Sequence, residues 1–311
     1  MTERGDDPTA GFEEYRSLLV SVAYRVLGSM SDAEDVVQEA WLRWSRTDQA
    51  AVRDPRAFLV QVATRLAIDR LRRVKARREA YVGPWLPEPV LTADDPAEDI
   101  ALAESVSMAM LVVLETLSPL ERAVFVLREA FGMPHAEIAE VLGRSEDAVR
   151  QLARRARDHA REGGSRYEAD QPTRRRVTER FLAATLDGDL DALMRVLAPG
   201  VVLVVDSGGR APAPRRPLRG AEEVARFLLA VGTEQRTARF LQAVTGGTDA
   251  DVRFHVVELN GGPGIVITAD GTPVSALAVG VEGDWVGSLY VVANPEKLRR
   301  LRLDVVPHQV C

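Results

Sequence analysis

The spacing of apolar residues changes period partway along this 311-residue chain, and that change constrains the fold more than any other feature. Up to about Arg161 the apolar positions recur at helical intervals, as in Leu18, Leu19, Val22, Ala23 and Val26, or Phe58, Val62, Leu66 and Leu71. Residues 174–186 and 190–197 also read as helices. Further on, VVLVVD (201–206), ARFLQAV (238–244), DVRFHVVEL (251–259), GIVITAD (264–270), VSALAVGV (274–281) and WVGSLYVV (285–292) read as strands between Gly, Pro and Asp turns. Helices first and strands afterwards predict all-α domains followed by a separate α+β domain.

The net charge of −6 argues on average against a nucleic-acid binder, but the charge is segregated. Arg65, Arg70, Arg72, Arg73, Lys75, Arg77 and Arg78 crowd one segment, with Asp69 the only acid among them. Arg144, Arg150, Arg154, Arg155, Arg157 and Arg161 crowd another. Between the two lie Glu88, Asp94, Asp95, Glu98, Asp99 and Glu104 without a Lys or Arg. Two basic modules flanking an acidic connector favour nucleic-acid contact over a merely solvated face. The only cysteine is Cys311, which rules out an internal disulfide or a thiolate zinc site, and no metal or cofactor is expected. No apolar run approaches the ~20 residues a membrane helix needs. The stretch MTERGDDPTAGFEEY lacks an apolar signal region, so a soluble cytoplasmic protein is expected.

Three local patterns carry chemistry. Ser31 and Glu34 fit an S-x-x-E capping box, which predicts a helix from Ser31 to Trp44. Val37, Ala40, Trp41 and Trp44 form its apolar stripe, and Asp35, Gln38 and Glu39 an acidic face beside it. Ser118-Pro119-Leu120-Glu121 is a second capping box, with Pro at the first helical position. Residues 136–142 then predict a short helix ending at Gly143, and Ser145 caps the next: a helix-turn-helix. Val149, Leu152, Ala153 and Ala156 of that last helix should pack inward. Gln151 and Arg154 then point outward, flanked by Arg150 and Arg155. Arginine suits guanine and phosphate, and glutamine suits adenine. Glu146 and Asp147 suit either a cytosine amine or the helix dipole. Alone, this pattern also fits a stand-alone helix-turn-helix regulator.

The helix from Ser31 resembles region 2.2 of the sigma-70 superfamily, in its extracytoplasmic-function (ECF) group. The resemblance implies that Asp35, Gln38 and Glu39 contact core RNA polymerase. It implies that the helix with Thr64, Arg65, Ala67, Ile68, Asp69, Arg70, Arg72 and Arg73 faces the promoter's minus-10 element. Many simple ECF factors have Asn where Arg65 stands, so their base preference does not transfer. Residues 104–162 resemble sigma region 4, which implies minus-35 reading by Arg144, Arg150, Gln151, Arg154 and Arg155. The acidic linker resembles the connector that threads polymerase channels.

Residues 172–295 resemble a SnoaL-like domain, a curved sheet with helices closing a conical pocket. Trp85-Leu86-Pro87-Glu88-Pro89, Asp206-Ser207-Gly208-Gly209-Arg210 and Asn294-Pro295-Glu296-Lys297-Leu298 resemble signatures of ECF factors fused to that domain, the ECF41 type. Ser207 departs from the group, which usually has Gly there. The resemblance implies that Trp85, Leu86, Pro87, Glu88, Pro89, Asp206, Gly208, Gly209 and Arg210 mediate control of the sigma part by the extra domain. Asp206 and His255 are the named candidates for acid–base chemistry in a SnoaL-type enzyme, but no catalytic residue is assigned. An unidentified small ligand in the cone is the alternative use of that pocket.

The expected layout is region 2 over 1–80, an acidic Pro-rich linker over 81–103 and region 4 over 104–163. A hinge over 164–171, a SnoaL-like domain over 172–295 and a tail over 296–311 follow. The expected partners are core RNA polymerase and promoter DNA at its minus-10 and minus-35 elements, with no membrane. The expected function is an alternative sigma factor directing promoter-specific initiation, not an enzyme, with activity modulated in cis by the C-terminal domain.

Overall fold

A computed structural model describes residues 8–78, 80–92, 107–163, 170–231, 234–247 and 250–303. The chain forms two compact units. The first contains residues 8–78 and 110–163, and the second contains 80–92 and 107–109 together with the chain beyond 170. The acids Asp94, Asp95, Glu98, Asp99 and Glu104 lie outside the described residues.

The first unit is all helical: α1 (Pro8–Leu27), α2 (Met30–Trp44), α3 (Pro55–Arg78), α4 (Met108–Glu115, in this unit from Met110 onward), α5 (Pro119–Phe125), α6 (His135–Leu142) and α7 (Glu146–Gly163). A π-helical stretch, Val126–Ala130, extends α5. Leu19, Val22 and Ala23 of α1, Ala33, Val36 and Val37 of α2, and Leu59, Ala63 and Leu66 of α3 are all buried, which joins these three helices. The cap of α2 corrects the sequence reading. Ser29, not Ser31, is the N-cap; it is extended (φ −135°, ψ 123°) and accepts from the Asp32 amide at 3.2 Å. The reason lies one residue earlier, where Gly28 (φ 69°) ends α1 in a conformation glycine adopts freely, leaving Ser29 as the entry residue. Ser118 forms the capping box expected of it, with Glu121 returning the bond and Pro119 at the start.

A buried ionic cluster ties the two helical groups together. Glu115 at the end of α4 pairs with both Arg78 of α3 and Arg122 of α5. Arg122, fully buried, also donates to the Arg25 carbonyl at 3.0 Å, and Arg78 to the Leu27 carbonyl at 2.8 Å. Two guanidinium groups thus satisfy carbonyls near the end of α1.

In the second unit α8 (Gln171–Leu186) and α9 (Leu190–Val196) precede a six-stranded sheet. Its strands are β1 (Leu197–Asp206), β2 (Leu218–Arg219), β3 (Val252–Leu259), β4 (Gly262–Ala269), β5 (Thr272–Glu282) and β6 (Trp285–Val292), in the order β2-β1-β6-β5-β4-β3. Only the β1–β6 pair is parallel. Helices α10 (Ala221–Val231) and α11 (Glu234–Thr245) come between β2 and β3, and α12 (Pro295–Leu298) follows β6. Irregular register within β4–β5 and β5–β6 bends the sheet. One face, with Leu203, Val205, Ile265, Leu277, Val279 and Leu289, packs against Val177, Phe181, Leu193, Val196 and Val224 of α8, α9 and α10. This is the α+β, SnoaL-like cone.

Two elements differ from the expectation. Residues 238–244 are helical within α11, not a strand. Phe240, Leu241 and Val244 fall on one helical face that packs on Ala269 and Val274, a spacing that a seven-residue apolar run leaves ambiguous. Helix α10, which buries Ala221, Val224 and Ala225, went unread. Replacing the cap hydroxyl, Ser118→Ala, should destabilise the first turn of α5 by about 1 kcal/mol. Hydrogen–deuterium exchange of the full chain should then show roughly fivefold faster exchange at the Glu121 amide, which that hydroxyl now accepts from.

Candidate functional site

The acidic face of α2 follows from helical geometry. Asp35, Gln38 and Glu39 stand three and four residues apart and are exposed, while Ala33, Val36, Val37, Ala40 and Trp44 are buried on the other side. Trp41 is half-buried against Phe12, with ring centroids 5.4 Å apart. The acids do not stand alone. Arg70 of α3 reaches across to Asp32 and Asp35, both at 2.6 Å, and Arg43 pairs with Glu39 at 2.9 Å along the helix. The Arg43–Glu39 pair is solvent-exposed and contributes little stability.

The expected DNA-facing arginines of α3 divide by partner. Arg70 pairs with the α2 acids Asp32 and Asp35, as above. The Arg65 guanidinium donates to the carbonyls of Val141 at 2.8 Å and Glu140 at 3.4 Å, at the end of α6. Arg72 pairs with Asp69 at 3.1 Å and Arg73 donates to the Asp69 carbonyl at 3.3 Å, both on the exposed side.

The helix-turn-helix is built from α6, a turn at Gly143 and α7. Gly143 sits in the left-handed region (φ 62°, ψ 45°) and closes α6, and the Ser145 hydroxyl accepts from the Ala148 amide at 3.3 Å to open α7. Val149, Leu152, Ala153 and Ala156 are buried. Arg144, Arg150, Gln151, Arg154 and Arg155 are all exposed, and the last four line one shallow depression. Glu146 and Asp147 pair with Arg150 at 2.6 and 3.4 Å, and Glu121 pairs with Arg155 at 3.3 Å. These carboxylates orient arginines on the outer face in place of standing free as acceptors.

In the second unit, one buried carboxylate organises everything around it. Asp206, at the end of β1, is fully buried. It accepts from the Tyr81 hydroxyl at 2.6 Å, the Leu86 amide at 2.8 Å, the Gly208 amide at 3.1 Å and the Lys297 ammonium at 2.6 Å. Lys297 lies over the Trp85 ring, 3.9 Å from its centroid, and also donates to the Leu86 carbonyl. Asn294 donates to the Tyr81 oxygen at 2.8 Å and caps α12 by accepting from the Glu296 amide. Burial, and then the bond to the Asp206 carboxylate, pushes the Tyr81 phenol up, so it remains a protonated donor.

The Gly-Gly pair is required by this packing. Gly208 (φ 57°) leaves room for Asn294, whose Nδ2 would lie 2.7 Å from an added Cβ, and Gly209 (φ 73°) faces Val82. Arg210 pairs with Glu296 at 3.2 Å at the surface. Leu86, Pro87 and Pro89 are buried and Trp85 and Glu88 half-buried. The segment then continues as a short extra strand. Leu91 bridges Leu259 at the edge of β3, the Thr92 amide donates to the Glu258 carbonyl at 3.0 Å, and Asn260 brackets Val90 through its amide and its side-chain oxygen.

Sequence reasoning missed Tyr81, Asn294 and Lys297 as members of this cluster, although the Asn294–Leu298 motif was in view. A lysine beside Leu298 reads as surface unless its partner is known. The two acid–base candidates do not share a site. Asp206 ends β1 and His255 is on β3, four strand spacings away, about 19 Å. Phe254 and Val256 pack on the cone core, so the alternating His255 lies on the opposite face, where it pairs with Thr268 at 3.1 Å. Among the described residues no group of three or more His, Cys, Asp or Glu is placed to hold a metal, and no helix is long and apolar enough to cross a membrane.

Comparison with known proteins matches this geometry. Residues 12–78 match Sigma-70 region 2 and residues 107–159 match Sigma-70, region 4. The ECF RNA polymerase sigma factor SigJ of Mycobacterium tuberculosis is 42% identical over 92% of this chain and 91% of its own length. The probable ECF RNA polymerase sigma factor SigI of the same species is 31% identical over 96% of this chain and 98% of its length. The crystal structure of M. tuberculosis SigJ superposes with a TM-score of 0.73 at 38% identity, covering 93% of this chain and 97% of that one. From the acidic α2 to the clasped linker, this chain belongs to the extracytoplasmic-function RNA polymerase sigma factors that carry a fused SnoaL-like domain.

Proposed function

We propose that the exposed face of α2, with Asp35, Gln38 and Glu39, docks on core RNA polymerase, and that α7 reads the minus-35 element through Arg150, Gln151, Arg154 and Arg155, with Arg144 on nearby phosphates. Arg65, Arg70, Arg72 and Arg73 of α3 serve the minus-10 element. The protein acts in the cytoplasm, where polymerase and promoter meet. The full-length similarity to SigJ, spanning both sigma regions and the extra domain, carries this reading. The factor should direct run-off transcription from a matched promoter only when core polymerase is added. Sequence-specific promoter binding that is just as strong without polymerase would point instead to a stand-alone regulator.

The second part of the proposal concerns control. The Trp85–Pro89 segment, Asp206, Gly208, Gly209 and Arg210 form a clasp that holds the connector between α3 and α4 on the C-terminal domain, and the state of that clasp sets promoter output in cis. The convergence of four donors on the buried Asp206 supports this use. Leu277, Val279 and Leu289 pack on α8 and α9, and linker docking is the role we assign to the domain.

Lys297→Met leaves a buried carboxylate without its counter-charge, a loss of about 3–5 kcal/mol. Chymotryptic cleavage at Tyr81 and Trp85 in the full chain should then rise by at least about tenfold, with a changed transcript yield; unchanged cleavage would remove the clasp from the account. On α7, Arg154→Ala should weaken promoter binding by the holoenzyme and lower the slope of log affinity against log salt by about 1. An unaltered slope would move phosphate contact away from this face.

A further inference from the structure

We propose that a small cavity in the second unit, between Arg174 of α8 and the Ser107–Ala109 end of the connector, is a site for a short aliphatic carboxylate whose binding holds that end of the connector in place. The inference rests on the reading of connector docking as the control of promoter output, and it names a ligand class for that control. The cavity, about 50 Å³ in volume, lies at the end of the sheet where the β3–β4 and β5–β6 turns fall. Its floor is Ala278, Gly280, Ser288 and Tyr290. These alternate with the core-facing Leu277, Val279 and Leu289, so they belong to the reverse face of the sheet. The clasp occupies the same face, because Asp206 and Ala276 both stand opposite Val292, two residues on from Tyr290. The connector therefore meets one face of the sheet near both of its ends.

The chemistry of the lining selects the ligand. Arg174 is half-buried; its Nη1 donates to the Gly261 carbonyl at 3.4 Å, while its Nε is buried without a partner among the described residues. An N–H removed from water and left unmet favours an acceptor brought by a ligand. The acids at this end are engaged elsewhere. Glu258 accepts from Gln171 at 2.7 Å, Asp284 pairs with Arg176 at 2.9 Å, and Asp170 caps α8. Ser288 and Tyr290 add hydroxyls to the site. Burial pushes the Tyr290 phenol up, against a bond from Ser288 and with a further push from the Glu282 carboxylate, so the phenol stays a protonated donor. Gly280 keeps the floor open, since an added Cβ would collide with the Ser288 Oγ. The remaining walls are aliphatic, from Leu259, Pro263, Val279 and Val281, with the buried Met108 of the connector beside them. One cation suits a single negative charge, and the guanidinium fork fits the two oxygens of a carboxylate. A dianionic phosphate would meet one cation and apolar walls. At less than two waters' share of liquid volume, about 30 Å³ each, the space admits a carboxylate with its first carbons and excludes a bulky acid.

The test titrates the full chain with propionate, and with propionamide as its uncharged counterpart, by calorimetry. Propionate should bind saturably and propionamide at least about tenfold more weakly. At ten times the measured Kd, hydrogen exchange across residues 107–109 should slow about tenfold, as mass action requires of a ligand bound only to the closed state. Arg174→Lys keeps the charge but loses the fork and should weaken binding about tenfold, while Arg175→Lys, one position along on the exposed side of α8, should leave it unchanged. Ser288→Ala, a milder change, should weaken binding about two- to tenfold. Absence of saturable binding, equal binding of propionamide, or unaltered exchange at 107–109 overturns the proposal. These readouts need neither polymerase nor promoter. Transcription with core polymerase and no carboxylate tests the sigma-factor reading separately, so the two failures are distinguishable. Where that transcription is seen, saturating propionate should change its yield in the parent chain and not in Arg174→Lys; an unchanged parent yield removes the site from control of the connector.

Discussion

The ion pair between Asp206 and Lys297 sets the terms for the second unit. A carboxylate removed from water is tolerated only when its oxygens are fully occupied, and here a lysine, a phenol and two backbone amides occupy them. Those donors come from three distant stretches, at residues 81–86, 206–208 and 294–297, so the requirement to satisfy one carboxylate fixes where all three run. The same requirement explains the neighbours. Trp85 shields the ammonium with its ring face, Asn294 holds the phenol, and two glycines allow the loop to pass close beneath. The β-type pairing of Leu91 with Leu259 then extends the anchored segment along the sheet edge.

In the helical unit arginine does several different jobs, and environment separates them. Arg122 and Arg78 share Glu115 away from water and also satisfy α1 carbonyls, a structural use. Arg70 spans two carboxylates of α2 and so links the helix expected to meet polymerase to the helix expected to meet DNA. Arg65 stands on a helix terminus. Arg150 and Arg155 are steadied by neighbouring acids yet remain on the outer face of α7. Residue type alone would place all of these in a single basic, DNA-facing class.

Much of this was legible before any coordinates. The long amphipathic stretches that became α1, α3 and α7, the Ser118 capping box, and the inward set Val149, Leu152, Ala153 and Ala156 follow from period and capping chemistry, which are local. Where a local signal had two solutions, reading faltered. Ser29 and Ser31 both offer a hydroxyl to the start of α2, and only the left-handed Gly28 selects the first. The run Ala238–Val244 suits either period, and packing of Leu241 on Val274 makes it helical.

The sequence by itself determined the order of domains, the sigma-like character of the helical part and the motifs that mark the fused domain, because each is written in contiguous residues. Only the tertiary structure decided that Asp206 meets Lys297 and Tyr81, that Arg65 meets the end of α6, and that His255 turns away from the cone. Those outcomes depend on charges and carbonyls separated by tens to hundreds of positions, and their pairing is settled by which groups lose water together when the chain folds.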